Sequence, residues 1–97
     1  MTRFAEAVER YFKLLETYVP VVARVHGEHH PEFHEVRRLF EETRDKVQAA
    51  KEARPELGTE FARLRGITDN YSVPGDVCES YAAVYQMLAE LDQAYDW

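Results

Sequence analysis

The chain has 97 residues, of which 45% are hydrophobic and 31% charged, and a net charge of −6. This composition fits one folded domain over residues 1–97 and excludes a disordered chain. The acidic balance repels phosphate backbones and anionic lipid surfaces, so neither nucleic acid nor a membrane is an expected partner.

The single cysteine, Cys78, has no second cysteine in the chain for an internal disulfide. Charges interrupt the start Met1-Thr2-Arg3-Phe4-Ala5-Glu6, which therefore lacks an apolar signal segment. The expectation is a cytoplasmic protein.

The first helical pattern is the stripe Phe4, Val8, Tyr11, Leu15, Tyr18 and Val22. Its alternating steps of four and three are those of a helix packed in a bundle. Thr2 is the expected N-cap. Pro20 lies inside the pattern, and its ring opposes the carbonyl of Glu16, so a kink or break is expected near Tyr18. Val21, Val22 and Val25 would then form a short second piece ending at Gly27.

All four histidines fall within the segment His26-Gly27-Glu28-His29-His30-Pro31-Glu32-Phe33-His34. Pro31 suits the first turn of a second helix, with Glu32 and Glu35 near its positive end. That helix carries Phe33, Val36, Phe40 and Val47, with Leu39 on the flank, and Arg54-Pro55 is expected to stop it. A short third helix follows from Leu57, Phe61, Leu64 and Ile67. A loop over 68–75 leads to Asp76 and Glu79, which match a capping box. The last helix places Val77, Tyr81, Val84, Leu88, Leu91 and Tyr95 at strict four-three steps. The fold class is all-α, a small antiparallel four-helix bundle.

Two readings of the histidine segment stand side by side. Imidazoles spaced i, i+4, as in His26/His30 and His30/His34, can share a transition-metal ion. His26, His29, His30, His34 and Glu35 are the candidate ligands, for a single weakly held Fe, Zn or Ni ion. The plainer reading is a polar helix junction whose histidines cap and hydrogen-bond. His34 points about 150° away from the Phe33/Val36/Phe40 stripe, toward solvent or a partner. Cys78 is expected to be a small core residue. Val73, Met87 and Trp97 lie off the main stripes, which leads to the expectation of a homodimer or another protein partner.

The residues Val25-His26-Gly27 and His30-Pro31-Glu32-Phe33, with Val36 and Phe40, resemble the helix junction of the Ric family. So does a second stretch, Leu64-Arg65-Gly66-Ile67-Thr68-Asp69-Asn70-Tyr71-Ser72-Val73-Pro74 followed by Cys78, Tyr81, Tyr85, Leu88, Glu90 and Leu91. Arg10-Tyr11 and Pro20 resemble that family's first helix. These are hemerythrin-like di-iron proteins implicated in repair of iron–sulfur clusters after nitrosative and oxidative damage. The resemblance implies the hemerythrin-like bundle and a link to that stress response. It also locates the family's iron ligands, and this sequence departs there. Phe12 stands where the first helix carries a histidine. Val47-Gln48-Ala49-Ala50-Lys51-Glu52-Ala53-Arg54 has no histidine, Arg54 or a neighbour heads the third helix, and Trp97 comes before the final ligand motif. No intact di-iron site is therefore expected, and the function expected is a binding or regulatory module, more a non-enzyme than an enzyme. A cluster-repair protein using the His26–His34 segment, and a simple divalent-metal site at a dimer contact, are the alternatives.

Overall fold

A computed structural model describes residues 2–51 and 53–95. Four α-helices make up the fold: α1 (Arg3–His26), α2 (Glu32–Ala50), α3 (Gly58–Ile67) and α4 (Glu79–Ala94). No strand occurs among the described residues. Helix α1 packs on α4 and α2, and α2 packs on α3.

The Thr2 hydroxyl caps α1 by accepting from the Ala5 N–H at 3.0 Å. The expected break at Pro20 does not occur, and α1 runs unbroken to His26. Proline in a helix interior costs about 3 kcal/mol. Here Val19, Val22 and Ala23 are buried on either side of it, and this burial opposes a break in the helix.

The buried interior is built from Phe4, Phe12, Leu15, Val22, Phe33, Val36, Phe40, Phe61, Leu64, Tyr81, Val84, Leu88 and Leu91, all on the expected stripes or adjoining them. Val8, Tyr11 and Val77 pack at its edge. Met87, expected off the stripe, is buried, whereas Val73 remains 40% exposed. Trp97 lies outside the described residues.

Two helix ends differ from expectation. Helix α2 stops at Ala50, ahead of Arg54-Pro55, because Lys51 turns to φ 55°. The Asp76/Glu79 capping box does not form: Cys78 is the N-cap of α4 and gives no side-chain cap bond. Asp76 is drawn to His30 instead. The link into α3 is held by Tyr95, whose hydroxyl donates to the Pro55 carbonyl at 2.6 Å and accepts from the Leu57 N–H at 2.8 Å. No described helix is long and apolar enough to cross a membrane.

Candidate functional site

The junction between α1 and α2 is a tight turn. The His29 and His30 N–H groups both donate to the His26 carbonyl, at 3.2 and 2.8 Å. Gly27 closes α1 with ordinary right-handed angles, φ −61°. Its reason is close approach: a Cβ there would meet the Ala23 carbonyl and come within 2.5 Å of His34 Nε2. The His34 ring thus lies over a residue that has no side chain, and it stays exposed.

His26 and His30 both turn toward α4. Each sets its ring edge-on to Tyr81, with centroids at 5.5 and 5.6 Å. His26 Nε2 lies 3.2 Å from Cys78 Sγ. Cys78 is exposed, which corrects the expectation of a core thiol: as the N-cap residue it stands ahead of the buried face of α4. His30 lies between two carboxylates, with Nδ1 at 3.0 Å from Glu32 Oε1 and Nε2 at 3.0 Å from Asp76 Oδ1. Both ring nitrogens can donate at once only in the imidazolium form. Partial burial works against that charge, but the hydrogen bonds to Glu32 and Asp76 outweigh it and raise the His30 pKa. The result is a charged clasp tying the α1–α2 junction to the loop ahead of α4.

The sequence candidates therefore separate. His26 and His30 come together around Tyr81, while His29 is exposed. Glu35 is gripped by Arg38, whose Nε and Nη2 donate to its two oxygens at 2.6 and 2.7 Å. That fork lowers the Glu35 pKa. Among the described residues no three His, Cys, Asp or Glu side chains converge as a metal-binding set. The residues added by the fold are Glu32, Asp76, Cys78, Tyr81 and Tyr85. Tyr81 and Tyr85 are buried, with their hydroxyls 3.0 Å apart. Burial raises the pKa of both, and the bond to Tyr81 raises that of Tyr85 further. The i, i+4 spacing of Tyr81 and Tyr85 was a sequence signal for this pair; the partners of the histidines had none.

Away from the junction most of the buried side chains are hydrocarbon. Phe12 sets its ring edge-on to Phe40 at 5.6 Å, with an interplanar angle of 76°. Leu15, Val36 and Leu39 are fully buried in the same core cluster. A carboxylate-bridged di-iron centre needs histidines and carboxylates converging from facing helices. The described residues do not fit one. Glu60, the one buried acid among the described residues, pairs with Lys46 at 2.7 Å.

Over 95% of its length the chain is 23% identical to "Iron-sulfur cluster repair protein ScdA" of Staphylococcus haemolyticus (strain JCSC1435). The chain resembles the Ric family of iron–sulfur cluster repair proteins. It spans about 55% of that relative's length. The aligned stretch covers 123 residues, more than this whole chain holds, so the relative carries inserted segments within it. No family model matches the chain, and no solved structure does.

The segment that carries much of the Ric resemblance, Leu64 to Pro74, contains a strained turn. Asp69, Asn70 and Tyr71 take φ values of 52°, 58° and 63° in succession. Side chains other than glycine adopt this region at a cost. The turn is held by the Thr68 hydroxyl, which donates to the Leu64 carbonyl at 2.6 Å and accepts from the Tyr71 N–H at 2.8 Å. It delivers the Tyr71 hydroxyl to Asp92 Oδ2 at 2.8 Å, beside the Arg65–Asp92 ion pair. Burial, then the Asp92 contact, raise the Tyr71 pKa. This turn and the histidine clasp fasten the loop before α4 at both of its ends.

Proposed function

We propose that this chain is a non-catalytic binding or regulatory module linked to iron–sulfur cluster repair under nitrosative or oxidative stress. The observation that carries the reading is Phe12 packed on Phe40, where the Ric resemblance puts an iron ligand. The similarity to a cluster repair protein supplies the link. The short connections support an antiparallel order of helices in the hemerythrin manner, with any bend of α1 centred on Pro20. Recognition of a protein partner falls to the clasped junction of His26, His30, Asp76 and Cys78.

The test has two parts. Deleting the gene should slow recovery of a cluster-dependent dehydratase in cells exposed to nitric oxide. The purified, tag-free protein, loaded anaerobically with ferrous iron and then exposed to air, should develop no oxo-bridged iron absorption and restore no damaged enzyme by itself. Unchanged recovery in the deletion strain removes the link to repair. Two irons per chain, or repair by the protein alone, removes the non-catalytic reading.

A second reading rests on the 3.2 Å approach of His26 Nε2 to Cys78 Sγ. An imidazole and a thiolate are good ligands for one borderline divalent ion. The wider candidate set of His26, His29, His30, His34 and Glu35 belongs to the same reading. Zinc or nickel binding by calorimetry, lost in the His30/His34 double substitution, supports that wider set. Loss on Cys78→Ser alone supports the His26–Cys78 pair.

A further inference from the structure

Helix α1 carries two apolar seams. One is buried in the bundle. The other runs through Leu14, Tyr18, Val21 and Val25, at steps of four, three and four. At about 100° per residue these four fall within a sector of about 60°. Leu14 is 45% exposed, Val21 41% and Val25 59%. Three of the four large hydrophobic side chains most exposed among the described residues therefore lie on one line of one helix. Alternating steps of four and three along an exposed line form the seam of a helix pair.

The two walls of this seam carry opposite charge. On one side Lys13 and Arg24 project from α1, both exposed, with Glu6 near the start of the helix. On the other side lies α4, where Glu90 lines a cavity of about 200 Å³ together with Arg10 and Tyr11. Glu79 and Gln86 precede Glu90 by eleven and four residues, which puts them on the same strip of α4, and both are exposed. Helix α4 begins beside the end of α1, where His26 meets Cys78, and ends beside its start, where Phe4 meets Tyr95 at 5.3 Å. Arg24 thus stands level with Glu79.

We propose that the Leu14–Val25 seam docks a second copy of this chain, with the two α1 helices parallel about a two-fold axis running along them. A parallel pair places the basic wall of each copy against the acidic α4 wall of the other, at matching levels. An antiparallel pair would set basic wall against basic wall, which the charges oppose. A two-fold axis makes every such contact occur twice. The proposal stands apart from any role in cluster repair.

Sedimentation equilibrium tests it. The wild-type chain should form a dimer. Val21→Glu should raise the dimer Kd by about a hundredfold, through loss of an apolar contact and burial of charge, with the helical circular dichroism unchanged. Arg24→Glu alone and Glu79→Arg alone should each weaken the homodimer by repulsion. Mixing those two variants should restore a heterodimer, because each then meets opposite charge on the other. If Val21→Glu unfolds the chain, the charge variants still decide. A monomer at every concentration, a dimer indifferent to Val21→Glu, or a mixture no tighter than its parts overturns the proposal; with a monomer, the seam is open to a different protein.

Discussion

Replacing Phe12 by Ala tests whether that position is packing and nothing more. Phe12 is 9% exposed and lies edge-on to Phe40 at 5.6 Å. Truncating a buried phenylalanine costs about 3–5 kcal/mol through lost transfer energy and an unfilled cavity. The edge-to-face contact accounts for about 0.5–1.5 kcal/mol of this. A domain of this size has about 5–15 kcal/mol of stability in all, so the loss should lower Tm by roughly 15–25 °C. Urea titrations followed by circular dichroism would give the stability of Phe12→Ala, Phe40→Ala and the double variant. The double-mutant cycle should show a coupling energy within the aromatic range. A loss under about 0.5 kcal/mol, the scale of an ordinary surface substitution, or zero coupling would refute the packing role. Phe12→His should also destabilise the fold and create no stoichiometric iron binding, since no convergent partners surround it.

The His30 clasp should show in the pH dependence of stability. Its pKa is raised on folding, so its contribution is fully present below about pH 6.5, the unfolded value, and is lost as pH climbs through the folded pKa. His30→Gln should remove that dependence, and identical Tm–pH profiles for the two proteins would exclude the clasp. Glu60 is buried with Oε1 lacking any hydrogen-bond partner, while its partner Lys46 is largely exposed. Glu60→Leu should therefore stabilise the chain by about 1–2 kcal/mol in urea titrations, and a loss of stability would show that the ion pair outweighs the orphaned oxygen. Tyr71→Phe removes a hydrogen bond to a carboxylate and should cost about 1–2 kcal/mol, with faster amide exchange in the loop 68–76; unchanged exchange would mean that the turn holds without it.

The four helices and most of their inward faces were legible in the sequence, because helical geometry repeats locally and the alternation of four and three reports it directly. Phe33, Val36 and Phe40 are buried for the same reason that they could be picked out. The burial of Phe12 was legible too, since it rests on residue type at one position. Pro20 was misjudged in part: its local cost is real, but the burial of Val19 and Val22 opposes it, and burial is a tertiary quantity. The candidate site was legible only as a cluster of histidines. His26 meets a cysteine 52 positions away and His30 an aspartate 46 positions away. No periodicity encodes such pairs. Asp76 read as a helix cap because capping is local, and it is diverted because folding brings a charged imidazole within reach, a stronger partner than backbone N–H groups. Likewise Tyr95 read as packing, whereas its hydroxyl holds the linker between α2 and α3. Local pattern sets which residues turn inward, and only the docking of α4 against the junction decides which polar groups meet there.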